Sequence, residues 1–143
     1  MWKTLYDSFL QSMTVSWAAY LQMNHSPGKI VRDNFQHKVY PEIGLYMLIL
    51  TLIFSWIYYY YLNGRFGRYY SLKSWLVLLG ICSLVVWVVT YFRARALLQS
   101  PIIDVSSHLL WIGIINAVYS AILFFLLAFL FKWRSPMGKK APF

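Results

Sequence analysis

Four side chains in one short stretch could hold a metal or pass a proton: His25, Asp33, His37 and Glu42. Imidazoles and carboxylates are the usual ligands of zinc, and a zinc site would draw them to one point. Their spacing matches no ligand pattern, and Lys29, Arg32 and Lys38 are interleaved among them. The stretch therefore reads as polar connection with two solvated histidines, and no metal is expected. His108 follows Asp104, Val105, Ser106 and Ser107, which reads as the start of a helix capped by a serine. Neither a Ser-His-Asp nor a Cys-His arrangement is present, nor a phosphate-cradling loop or dinucleotide fingerprint. The sequence thus predicts no catalytic residue and no cofactor. The single cysteine, Cys82, lies in the middle of an apolar run, so an intrachain disulfide is excluded.

What would have to position any such chemistry is greasy. Of 143 residues, 60% are apolar, 20% aromatic and only 12% charged, against roughly a quarter charged in soluble domains. Residues 43–62, 75–92 and 109–131 contain no Asp, Glu, Lys, Arg or His. As helices they would reach about 30, 27 and 35 Å, which matches a hydrocarbon core of roughly 30 Å. The reading is an all-α, polytopic membrane bundle formed by one domain over 1–143, with helices at about 2–23, 43–62, 75–92 and 109–132 and a basic tail at 133–143.

The formal charge of +9 comes from 13 Lys and Arg against Asp7, Asp33, Glu42 and Asp104. In a soluble protein this would suggest nucleic acid. Here every cation lies outside the apolar runs, and too little chain remains to fold a basic face, so nucleic acid is not an expected partner. Flanking cations instead anchor helices at anionic headgroups and set topology. Arg65, Arg68 and Lys73 in the stretch "NGRFGRYYSLKS", and Lys132, Arg134, Lys139 and Lys140 in the tail, are the candidates for that role. Tyr58 to Tyr61, Trp75, Trp111 and Trp133 sit at run boundaries, as an aromatic belt would.

Residues 1–23 form an amphipathic element. At 100° per residue Trp2, Tyr6, Phe9, Leu10, Met13 and Trp17 share one side, and Thr4, Ser8, Gln11, Ser12 and Gln22 the other. An interfacial helix usually carries Lys and Arg on its polar face, and this one does not after Lys3. With three spans the cations divide six against seven, which gives no orientation. With a fourth span they divide eight against five and place both termini in the cytoplasm. The charge count favours four spans, suiting a bacterial inner membrane, with an interfacial helix as the alternative.

Within the runs the small and polar residues fall on faces. On the third run Gly113, Asn116, Ala117, Ser120 and Ala121 gather on one side, with Ile114, Ile115, Val118, Ile122 and Phe125 pointing elsewhere. On the first, Gly44, Thr51, Ser55 and Tyr58 align, and on the second Gly80, Ser83 and Thr90 do so roughly. Lipid gives helices no hydrophobic reason to associate, so small residues and interhelical hydrogen bonds must do so. Gly44, Gly80, Gly113, Ala117 and Ala121 are the expected packing positions. Asn116, Ser120, Thr51 and Ser55, together with Ser8, Gln11, Ser12 and Gln22, are the candidates for a polar face, either packed or lining a pore shared between copies. The expected function is a homo-oligomeric channel or membrane-permeabilising pore. The alternative is an anchoring or structural subunit of a larger membrane complex, and the expected partners are membrane lipids, copies of itself and other membrane subunits.

Overall fold

A helix in lipid must satisfy its own backbone, so each apolar run is expected to be helical throughout. A computed structural model describes residues 2–12, 33–66, 71–97 and 106–134, and among them every element is helical. The helices are α1 (Trp2–Ser12), α2 (Tyr40–Trp56), α3 (Leu72–Leu97) and α4 (Ser106–Arg134). Two π-helical segments, Phe35–Val39 and Ile57–Phe66, prolong α2 without a break. Three helices are long and apolar enough to cross a membrane: Phe35–Leu62, Leu72–Leu97 and Ser106–Phe131.

All three are longer than their apolar runs. At 28, 26 and 26 residues they reach about 42, 39 and 39 Å, beyond a hydrocarbon core of roughly 30 Å. An apolar run marks the part of a helix that must avoid water, whereas the hydrogen-bond ladder continues into the headgroup zone. The largest difference lies at residues 35–42, expected as loop and found helical. Pro41 explains its form. Proline lacks an N–H and crowds the carbonyl four residues back, and the wider π-turn ahead of it relieves that conflict, with the Tyr40 N–H donating to the Phe35 carbonyl.

Ring and side-chain pairs give the register. Phe35 meets His108 at 4.9 Å between centroids, Thr51 Oγ1 meets Ser120 Oγ at 2.9 Å, and Tyr59 meets Phe131 at 5.5 Å, so α2 and α4 run parallel. Glu42 pairs with Arg93, and Trp75 with Phe124 at 5.8 Å, so α3 runs antiparallel between them. The most extensive interface is that of α3 with α4. Arg93 also lies over the Tyr46 ring, 5.1 Å from its centroid. The exposed Glu42–Arg93 pair marks one edge of the apolar zone.

α1 lies on that side. Trp2 packs on Gly44, while Asp7 accepts from Tyr40 and Gln36 at 3.4 Å, so α1 runs antiparallel to the first half of α2. Its Thr4 and Ser8 face outward and Tyr6 inward, as its amphipathic pattern requires. Eleven residues reach about 16 Å, and residues 13–23 of the expected longer helix lie outside the described ones.

Alongside its buried apolar side chains the bundle hides neutral polar ones and exposes large apolar ones. Asn116, Thr51, Ser55, Ser120 and Thr90 are buried, while Leu45, Trp56, Val77, Leu84, Phe92 and Leu130 are more than half exposed. In water such a surface would drive aggregation, and facing acyl chains it costs nothing. The outward apolar side chains and inward hydroxyls and amides are the signature of an integral membrane protein.

Candidate functional site

The inward polar groups form a seam between the helices, centred on Asn116. A carboxamide facing lipid would lose its hydrogen bonds at a cost of several kcal/mol (about 2–7). In the bundle every group of Asn116 is used. Its Nδ2 donates to the Ile43 carbonyl of α2 at 3.2 Å and to Thr90 Oγ1 of α3 at 2.9 Å, and its Oδ1 accepts from the Tyr6 hydroxyl of α1. One α4 side chain thus touches all three other helices. Ile43 is the neighbour of Glu42 and Thr90 lies three residues before Arg93, so this hub sits just inside the level of the ion pair.

Around it, Tyr6 packs against Tyr40 at 4.9 Å and edge-on to Tyr119 at 6.0 Å between centroids, and the Tyr119 hydroxyl donates to the Leu5 carbonyl at 2.9 Å. Above, Phe35, Val39, Leu109 and Ile112 close the end of the bundle. Below, Thr51 Oγ1 donates to the Met47 carbonyl at 2.7 Å and meets Ser120, whose hydroxyl also lies 3.5 Å from Cys82 Sγ. Ser55 Oγ is buried with no hydrogen-bond partner among the described residues. The seam is packed: Thr51, Ser55, Asn116 and Ser120 are all at 0% exposure within one chain.

The glycines divide. A methyl added to Gly44 would lie 2.6 Å from the Trp2 ring, and one added to Gly113 would lie 2.8 Å from Trp87, so both mark close approaches filled by an indole. Gly80 has open space within 4 Å and lies exposed on the outer face of α3. Among the described residues nothing packs on it, because the inner face of α3 follows Cys82, Val86, Thr90 and Ala94 at four-residue steps, to which Gly80 does not belong. Ala117 and Ala121 are half-buried at the rim, where they and Ser83, Trp87, Ile114 and Val118 line an outer groove of about 440 Å³. Ile115, expected to point away, is buried instead, because the inner face of α4 is broad enough to meet α1, α2 and α3 together.

Of the other candidate positions, Ser8 is exposed, with its hydroxyl donating to the Thr4 carbonyl at 2.6 Å. The side chains of Gln11 and Ser12, and Gln22 altogether, lie outside the described residues. Lys73 is exposed in the first turn of α3. Arg65, Lys132 and Arg134 belong to helical segments whose side chains are not described at those positions, and Arg68, Lys139 and Lys140 lie outside the described residues. Of the four possible metal ligands, Asp33 and His37 are exposed, Glu42 is paired with Arg93 and His25 is not described. Among the described residues no three His, Cys, Asp or Glu side chains come together. The four tyrosines split, with Tyr58 and Tyr59 in the core and Tyr60 and Tyr61 outside. The π-turn at Ile57–Phe66 lets two successive rings face inward.

Sequence reasoning missed Tyr6 as the partner of Asn116. The available signal was a tyrosine on the apolar side of α1, since a buried phenol needs a partner. It also missed that Trp2 and Trp87 each lie over a glycine and that His108 is buried against Phe35.

Fold and seam together define an integral membrane helical bundle with three candidate spans and a neutral polar interior. Compared with known proteins, the chain matches no family model, no curated sequence and no solved structure.

Proposed function

We propose that the protein is a non-catalytic membrane subunit that works by assembly, docking other transmembrane helices against its apolar outer faces. These helices belong to its own copies or to a larger membrane complex. The observation that carries this reading is the use of Asn116, Thr51 and Ser120 by partners within the same chain, which leaves an outer surface of leucine, isoleucine and phenylalanine for association. The apolar runs of the three spans offer no charged group or histidine for catalysis or ion coupling. The mass of the purified particle in nanodiscs tests the reading. A multimer, or a stoichiometric membrane partner, is expected, and a lone monomer with no partner overturns it.

A second reading, a homo-oligomeric pore, is supported by Thr4 and Ser8, both exposed on the outer face of α1. Neutral hydroxyls can line a permeation path, and several copies would have to bring their α1 faces together. Ion conductance in planar bilayers, abolished by Ser8→Leu, is the result that would select it over a scaffold.

For topology we favour three spans, with α1 seated at the edge marked by Glu42 and Arg93. Support comes from the packing of Trp2 and Tyr6 beside Gly44 and Ile43, in the first half of α2. The competing reading extends residues 2–23 into a fourth span with both termini in the cytoplasm of a bacterial inner membrane, and its support is the charge count.

A further inference from the structure

The end of the bundle opposite Glu42 and Arg93 carries a cleft between the close of α2 and the start of α3. It measures about 330 Å³ and is lined by Tyr58, Leu62, Lys73, Ser74, Val77 and Leu78. The lining is graded. Lys73 and Ser74 stand at the first turn of α3, two residues and one residue before the apolar run begins, whereas Leu62, Val77 and Leu78 belong to the apolar runs themselves. A cation and a hydroxyl at headgroup level above an apolar floor match an amphiphile with an anionic head.

Charge complementarity points the same way. Residues 63–74 and 132–143 contain seven Lys and Arg and no Asp or Glu. The contact of Tyr59 with Phe131 brings the ends of α2 and α4 together on this side. All four acidic residues lie in 1–42 or at 104, outside this cationic end. The first turn of α3 adds a partial positive charge, and its Ser71 cap, which accepts the Ser74 N–H at 3.3 Å, holds that turn in place.

We propose that this cleft binds one anionic diacyl phospholipid, its phosphate at Lys73 and Ser74 and one acyl chain along Leu62, Val77 and Leu78. The inference is independent of the assembly reading above. It assigns Lys73 and Ser74 a built lipid site, in addition to a general attraction of the cationic end to the membrane surface.

The test is native mass spectrometry of the full chain in mild detergent, titrated with phosphatidylglycerol or phosphatidylcholine. One phosphatidylglycerol is expected to be retained in preference to phosphatidylcholine. Lys73→Gln should weaken that binding about fivefold, the worth of one cation at an anionic surface. Val77→Trp, which fills the apolar floor and leaves the charge untouched, should weaken it at least as much. Arg95→Gln, at the other end of α3, should leave it unchanged. Equal retention of the two lipids overturns the proposal, as does a Lys73→Gln effect no larger than that of Arg95→Gln. Full binding in Val77→Trp would mean surface attraction alone, and competition by millimolar inorganic phosphate would mean a free-anion site, so either result also overturns it. Circular dichroism and elution volume establish that the variants keep the bundle.

Discussion

The hydroxyl of Tyr6 donates to Oδ1 of Asn116, tying the N-terminal helix to the centre of α4 across 110 positions of sequence. The bond gives the carboxamide its third partner and seats α1 on a surface otherwise made by α2 and α4. It replaces what lipid cannot offer, since no water is at hand to satisfy a phenol or an amide in an apolar surround.

If that bond and its two companions hold the bundle, Asn116→Ala should cost about 2 kcal/mol, at about 0.6 kcal/mol for each interhelical hydrogen bond. Tyr6→Phe should cost less. The informative quantity is the coupling between them in a double-mutant cycle, read by unfolding in mixed micelles. A coupling of at least 0.5 kcal/mol, on the order seen for contacting residues, is expected. A value of zero would detach α1 from the hub.

The glycines should behave unequally. Gly113→Ala forces a methyl against the Trp87 ring at 2.8 Å and Gly44→Ala one against Trp2 at 2.6 Å, and overpacking of this kind costs about 1–3 kcal/mol. Gly80→Ala meets no described atom within 4 Å and should stay within about 0.5 kcal/mol of the parent, as an exposed substitution does. Thermal stability in detergent ranks the three, and equal losses at all of them would contradict the helix rotations described.

The buried hydroxyls give a paired test of opposite sign. Thr51→Val keeps the shape but removes the bonds to Met47 and Ser120, for a loss of about 1 kcal/mol. Ser55→Ala removes a buried oxygen that has no partner among the described residues, so it should be neutral or gain up to about 1 kcal/mol. Finding Ser55→Ala the more damaging of the two would show that Ser55 has a partner outside the described residues.

Topology is open to direct labelling. In a Cys82→Ala background, Lys3→Cys and Asn34→Cys should react with an impermeant thiol reagent from the same side of sealed vesicles. Reaction from opposite sides would establish residues 2–23 as a span.

Much of this fold was legible in the sequence, and the illegible parts share a cause. The three runs announced themselves because Ile43 to Leu62, Trp75 to Phe92 and Leu109 to Phe131 exclude every formal charge, a property that needs no partner to read. The inner side of α4 was legible through Asn116 and Ser120, and that of α2 through Gly44, Thr51 and Ser55. On α3 the pattern misled, since Gly80 drew the face toward lipid while Cys82 and Val86, neither small-polar nor bulky, lay on the true inner line.

By itself the sequence determined that this is a helical protein with three runs apolar enough to cross a membrane, and which side chains could not be left facing lipid. Those properties depend on transfer energy and helical period, which each segment carries locally. Only the tertiary structure decided that Asn116 is met by Tyr6, Thr90 and the Ile43 carbonyl, that α1 sits against the first half of α2, and that Tyr58 and Tyr59 turn inward while Tyr60 and Tyr61 do not. Those facts depend on the rotation and register of one helix about another. In lipid that register is chosen by close packing and hydrogen bonds between residues distant in sequence, because hydrophobic burial does not distinguish one apolar face from the next.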